Sequence, residues 1–178
     1  MADPNPYAPP QSPVADAAPA LDGPKGIGGW LLLPVIGMFV FPVRCVISLA
    51  TEYLPIFEKD LWANLTTPGS NAYHPLWAPL LIYEVVFNLA FLVFDLFLLY
   101  LLFTKAHRFP KLYIAFAVLN LVFVVSDALL GYQIPAVVAQ GMDAIWKEIG
   151  RSFMMVAIWV PYMLVSKRVK NTFVRTQS

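Results

Sequence analysis

Five ionisable residues lie inside stretches of sequence that are otherwise apolar and long enough to cross a lipid bilayer. They are Arg44, Glu84, Asp95, Asp127 and Arg151. A charged side chain at the centre of a bilayer costs about 2.5–3.5 kcal/mol on insertion scales, and such residues usually pair with one another or line an ion pathway. The carboxylates could bind protons or cations, whereas the arginines could hold an anionic head group.

The acidic residues belong to two polar stripes. Glu84, Asn88 and Asp95 are spaced i, i+4 and i+11, which places them on one face of a helix. Asn120 and Asp127 are seven residues apart and likewise share a face. Because each stripe would be costly against lipid, we expect both to turn towards the interior of a helix bundle.

Three roles for these residues remain open. We expect Arg44 and Arg151 to pair with Glu84 and Asp127 in a neutral network that fixes how the helices pack. Alternatively, Glu84, Asp127 and Asp95 form a path for protons or cations. In the third interpretation, Arg44 or Arg151 holds an anionic lipid head group or a quinone.

The remaining chemically active residue types do not form a catalytic set. His74 and His107 fall in connections on opposite sides of the predicted membrane, and Cys45 is the only cysteine. We therefore expect no catalytic site, no metal and no cofactor, and a protein that is not an enzyme. The net charge of +1 offers no basic field for nucleic acid.

The elements that carry the polar stripes are predicted to be membrane-spanning helices. The chain has 178 residues, of which 59% are hydrophobic and 13% charged, and its mean hydropathy is +0.66. A spanning helix needs about 20 mostly apolar residues, and lipid forces the backbone to satisfy its own hydrogen bonds. Four segments meet this test, and the sequence therefore predicts an all-α, four-transmembrane-helix bundle. They cover about 27–50, 76–103, 111–130 and 149–166.

The first 25 residues differ from the rest of the chain. They hold seven of the sixteen prolines and almost nothing apolar to bury. Such a composition cannot offset the entropy lost on ordering, so residues 1–25 are predicted to be a disordered cytoplasmic tail. Residues 26–175 are then the membrane domain.

The distribution of lysine and arginine predicts the orientation of the spans. Eight basic residues fall on the side that holds both termini, against Lys59 and Lys147 on the other. This asymmetry indicates that both termini lie in the cytoplasm, and in a bacterium the protein would be a multi-pass protein of the inner membrane. The eight are Lys25, Lys105, Arg108, Lys111, Lys167, Arg168, Lys170 and Arg175.

Two segments outside the spans have patterns of their own. Lys167, Arg168, Lys170 and Arg175 alternate with apolar residues and are predicted to anchor the C-terminus at the cytoplasmic lipid surface. The alternative is a docking site for a cytoplasmic partner. In residues 131–148, apolar side chains recur at near-helical spacing, which predicts an interfacial helix before the fourth span.

The two ends of the membrane domain carry recognisable motifs. The first span opens with GIGGWLLLP at 26–34, and the last contains IWVPY at 158–162, followed by SKRVKNTF at 166–173. Over about residues 25–175 the chain resembles a family of bacterial inner-membrane proteins known as domain of unknown function 2569. The resemblance implies a small four-helix inner-membrane protein and implies no biochemical activity.

The preferred functional hypothesis is a non-enzymatic accessory or assembly subunit of a larger inner-membrane complex. Its partners would be the lipid bilayer and other membrane-protein subunits, or further copies of the same chain. The alternatives are a small proton or cation carrier or channel that uses Glu84, Asp95 and Asp127, and a protein that binds a lipid or a quinone.

Overall fold

The protein forms four long apolar helices in the computed structural model, which describes residues 23–174. The spans are Gly29–Ile56, Trp77–Phe103, Phe109–Gly131 and Asp143–Val165, and the described residues contain no strand. This confirms the predicted all-α, four-span architecture of an integral membrane protein. The predicted tail, except for its last three residues, and Arg175 lie outside the described residues.

The first span is longer than the sequence predicted. A 3-10 turn at Gly29–Leu31 leads into α1, Leu32–Ser48, which continues through a π-helical stretch, Leu49–Tyr53, into α2, Leu54–Ile56. The first span was predicted to end at residue 50 because the mostly apolar run of residues ends there. Backbone hydrogen bonding carries the helix further, and residues 52 and 53 therefore belong to the span.

The remaining helices follow with short connections. The segment before the fourth span holds the short helix α6, and Gly141, with a φ of +93°, ends that helix before the fourth span begins. Most of the predicted interfacial helix is therefore divided between α6 and the first turns of the fourth span. The helices after α2 are α3, Lys59–Thr66; α4, Trp77–Phe103; α5, Phe109–Gly131; α6, Pro135–Ala139; α7, Asp143–Val165; and α8, Lys167–Thr172.

The four spans pack as an open arc. The first span packs on α4, α4 packs on α5, and α5 packs most extensively on α7. Within the described residues, α1 and α7 share no comparable interface. The bundle is therefore closed on three sides and open between its first and fourth spans.

An aromatic cluster centred on Phe116 joins the first three spans. Phe116 is buried, and the rings of Phe41, Phe91 and Phe94 meet it edge-on at centroid distances of 5.7, 5.4 and 5.5 Å. In lipid, helices associate through van der Waals packing rather than the hydrophobic effect. This cluster therefore contributes strongly to holding α1, α4 and α5 together.

The outward faces of the spans are apolar. Val93 on α4 and Val122 on α5 are 68% and 59% exposed in the isolated chain. Soluble proteins rarely expose such continuous apolar surface, whereas a bilayer covers it. These faces are the ones that contact lipid.

Replacing Phe116 by alanine should destabilise the bundle by about 3 kcal/mol or more, because a buried phenylalanine lost from a packed core costs that much. Unfolding of the purified protein in mixed micelles of increasing dodecyl sulfate content measures the change. Val122→Ala, at the lipid face, is the control and should cost less than about 0.5 kcal/mol. Equal destabilisation by both variants would contradict the role of the cluster.

Candidate functional site

A cavity of about 740 Å³ lies between the first and fourth spans, with α4 and α5 as its back wall. Every exposed residue that lines it belongs to the first or the fourth span, which identifies the gap between α1 and α7 as its opening. Sites for small molecules and cofactors measure roughly 300–1,000 Å³. The cavity therefore has the size of a ligand site rather than of a packing defect.

The ionisable residues predicted within the spans and the members of the two polar stripes all line this cavity. Glu84, Asn88 and Asp95 reach it from α4, and Asn120 and Asp127 reach it from α5. Arg44 and Arg151 line it from the first and fourth spans and are exposed at the opening. The two polar stripes thus face the same space. That they act as one functional network stays a prediction.

Acidic side chains outnumber basic ones in the cavity. Besides the predicted acids, Glu52 and Glu148 also line it, which gives five carboxyl groups against the two guanidinium groups of Arg44 and Arg151. The neutral network predicted from the sequence, of two arginines and two acids, therefore does not include three of the five carboxyl groups in this cavity. An excess of carboxylates within low-dielectric walls favours cations over anions.

Glu84 lies against another acid. Its carboxyl group neighbours the Asp127 carboxyl group and the Tyr53 hydroxyl. The Asn88 side-chain amide donates to the Glu84 main-chain carbonyl at 2.9 Å and to the Tyr53 hydroxyl at 3.4 Å. Two carboxylates this close repel each other unless a proton or a cation lies between them. The pairing of Arg44 or Arg151 with these acids stays a prediction.

Two hydrogen bonds join neighbouring spans at residues that line the cavity. The Ser152 hydroxyl on α7 donates to Asn120 Oδ1 on α5 at 3.2 Å. The Cys45 thiol on α1 donates to the main-chain carbonyl of Asn88 on α4 at 3.6 Å. Asn120 therefore links the third and fourth spans, and Cys45 is buried as a packing residue rather than presented as a nucleophile.

Asp95 differs from the other acids because it is fully buried. Its exposed fraction is 0%, and neither carboxyl oxygen has a hydrogen-bond partner among the described residues. Tyr113 and Phe116, both buried, also line the cavity. Asp95 lies eleven residues beyond Glu84, or about 16 Å further along the axis of α4.

The opposite end of the bundle is closed by contacts between the two ends of the described chain. Arg168 Nη1 donates to the carbonyl groups of Lys25 and Gly26 at 3.3 and 3.5 Å. The Gly26 amide donates to Thr172 Oγ1 at 2.9 Å. These four residues are called the terminal clasp below. Arg168, predicted to be a surface anchor, is half-buried and binds the chain itself.

The terminal clasp explains the glycines of the opening motif. A Cβ atom on Gly28 would lie 3.1 Å from Arg168 Nη1, and one on Gly29 would lie 3.5 Å from Nε. Gly29 also has a φ of +56°, a conformation that other residues rarely adopt. The Arg168 side chain therefore packs directly on the GIGG segment, and the motifs at 26–34 and 166–173 meet in space.

Comparison with protein families matches the whole membrane domain. The model for the family described as protein of unknown function (DUF2569) matches residues 24–174. The chain belongs to this family. No curated protein and no solved structure matches it. The family is described as one of unknown function, so membership assigns no activity to the cavity.

The lysines predicted as anchors are placed differently from Arg168 in this DUF2569 protein. Lys167 and Lys170 are exposed on α8, where they are free to face a lipid surface, and Arg175 lies outside the described residues. Val169 and Phe173 on the other face are buried, and the Phe173 ring stacks on Phe109 at 4.5 Å. Anchoring by the lysines stays a prediction.

Sequence reasoning missed Glu52 and Glu148 because it ended the first span too early and began the fourth span too late. Glu52 was placed in a loop, although Arg44, Ser48 and Glu52 are spaced i, i+4 and i+8 and therefore share a helix face. Ser48 Oγ donates to Glu52 Oε2 at 2.8 Å. Glu148 was assigned to the preceding connection, although it lies four residues before Ser152 on the same face of α7.

Replacing Arg168 by alanine should loosen the opening motif, because two carbonyl groups lose their donor. We expect amide hydrogen exchange in residues 24–31 to accelerate about fivefold, which corresponds to about 1 kcal/mol. Hydrogen-exchange mass spectrometry in detergent micelles measures this. Lys167→Ala, one residue away and exposed, should leave exchange unchanged. Equal protection in wild type and Arg168→Ala would disprove the clasp.

Proposed function

We propose that this protein is a non-enzymatic accessory or assembly subunit of a larger complex in the bacterial inner membrane. The observation that carries the proposal is the opening between the first and fourth spans. A bundle that leaves charged residues accessible along one side is incomplete in lipid. A transmembrane helix of another subunit, laid across the opening, would complete it.

The rims of the opening have the features that such a helix requires. Arg44 and Glu52 on the first span and Arg151 on the fourth are exposed there and would be costly against acyl chains. Gly37 is exposed on the first span and lines the cavity at the opening, and a Cβ atom there would meet nothing within 4 Å. Small residues allow the backbones of neighbouring membrane helices to approach closely.

We propose further that both termini lie in the cytoplasm. Lys105, Arg108 and Lys111 are exposed at the end of the bundle that holds the terminal clasp, as are Lys167 and Lys170. Basic residues concentrate on the cytoplasmic side of membrane proteins. The orientation proposal is supported by this charge distribution.

A photo-crosslinking amino acid at Val40 tests the partner proposal directly. Val40 lines the opening, whereas Val43 on the same helix is exposed and does not line it. We expect irradiation of intact cells to link the Val40 variant to a distinct membrane protein. The Val43 variant should give lipid adducts only. Mass spectrometry of the purified adduct identifies the partner.

The outcome that contradicts the proposal is equally specific. Adducts of equal yield from both positions would mean random collision. An uncrosslinked monomer at both positions, together with a monomer recovered alone from gently solubilised membranes, would remove the accessory role. An adduct with a second copy of the chain would make the protein a homo-oligomer instead.

A second function, as a carrier or channel for protons or cations, is favoured by one observation. Acidic groups extend through the cavity from Glu52 and Glu148 to Asp95, with Glu84 and Asp127 side by side between them. Carboxylates within a membrane domain mark proton relays and cation paths. The same excess of acids gives less support to an anionic lipid or a quinone beside Arg44.

Flux measurements distinguish this second function from the first. If the cavity conducts protons, proteoliposomes with a trapped pH dye should acidify after an external pH drop. The combined Glu84→Gln and Asp127→Asn substitution should reduce that rate at least tenfold. Asp143→Asn, outside the cavity, should leave it unchanged. Rates equal to those of empty liposomes would exclude conduction by the isolated protein.

A further inference from the structure

The Asp95 carboxyl group has no hydrogen-bond partner among residues 23–174. The side chain is completely buried, lines the cavity, and has two oxygens that accept no hydrogen bond from any described residue. An ionised carboxylate without a partner is strongly disfavoured in an apolar environment. An unsatisfied ionisable group within a membrane domain marks a functional site, and a bound ion is one explanation for it. The natural complement of Asp95 is a positive charge brought into the cavity.

The aromatic side chains that line the cavity select the kind of cation. Tyr113 and Phe116 line the cavity from α5, Phe41 lines it from α1, and Trp159 lines it from α7. Aromatic faces attract cations, and most strongly those that have lost water. Metal ions such as calcium need six to eight oxygen ligands. Among residues 23–174, no group of three histidine, cysteine or acidic side chains could hold a metal ion.

We propose that the cavity binds a lipophilic organic cation, with its positive charge against Asp95 and its apolar body against the aromatic wall. A volume of about 740 Å³ accommodates a molecule of that class. The ligand is an ammonium, guanidinium or phosphonium compound with apolar substituents. This site is a property of the single chain and does not depend on the proposed partner subunit.

The opening between α1 and α7 provides the entry route. A lipophilic cation concentrates in the bilayer, and in the single chain, with no partner helix across it, the opening faces that phase along the exposed side of the first and fourth spans. Glu84 and Asp127 line the same cavity and add to its attraction for positive charge. An anion of the same shape would meet the same apolar walls and an unfavourable field.

Equilibrium dialysis of the purified full-length protein in detergent micelles tests the site. The probes are radiolabelled tetraphenylphosphonium and tetraphenylborate, which share a shape and differ in the sign of their charge. We expect saturable binding of about one tetraphenylphosphonium per chain. Tetraphenylborate should show only the linear partitioning that empty micelles show.

Two pairs of variants localise the binding. Asp95→Asn keeps the shape of the side chain and removes its charge, and should weaken binding at least tenfold. Its matched control is Asp143→Asn, an exposed acid outside the cavity. Gly37→Leu adds bulk inside the cavity where nothing lies within 4 Å, and Gly150→Leu adds it on α7 outside the cavity lining. Of these two glycine variants, only Gly37→Leu should weaken binding.

Each result decides the proposal. The proposal is supported if the protein binds the cation and not the anion, if Asp95→Asn and Gly37→Leu lose this binding, and if both controls keep it. Saturable binding that survives Asp95→Asn and Gly37→Leu overturns it, because the site is then elsewhere. Equal uptake of the two ions, or no saturable uptake by protein that elutes as a single folded species, overturns it as well. If Asp95→Asn fails to fold, Gly37→Leu against Gly150→Leu carries the decision.

Discussion

The inability of lipid to solvate charge is the constraint on which this structure depends. Each ionisable side chain within a span must face protein, water or a ligand, because acyl chains offer no alternative. Five acids and two arginines on four helices consequently line one cavity. The outward faces can then be almost entirely apolar, and the helices pack with those faces towards the bilayer.

The two ends of the described chain meet the same constraint in a different way. Arg168 folds back onto the carbonyl groups of Lys25 and Gly26, which supplies hydrogen bonds to backbone at the start of the first span. The glycines of the opening motif leave space for its guanidinium group. The bundle is thereby tied together at one end, while the opening between α1 and α7 gives access to the acidic cavity.

Much of this arrangement could be predicted from residue patterns. Hydropathy located the four spans, and helical spacing placed Glu84 with Asn88 and Asp95 on one face. Glu52 and Glu148 were placed outside the predicted spans, because apolar content marks only the lipid-embedded part of a helix. Backbone hydrogen bonds continue the helix into the interface. The predicted network of two arginines and two acids therefore did not include these two carboxyl groups.

The sequence by itself determined that four apolar helices cross the membrane and that each carries polar groups it cannot leave in lipid. These properties are local, since hydropathy and helical period depend only on neighbouring residues. The tertiary structure alone decided that α1 and α7 stay apart, that Arg168 binds the opening motif, and that Asp95 has no hydrogen-bond partner among the described residues. These depend on which helices meet, and that choice follows from side-chain packing between distant segments.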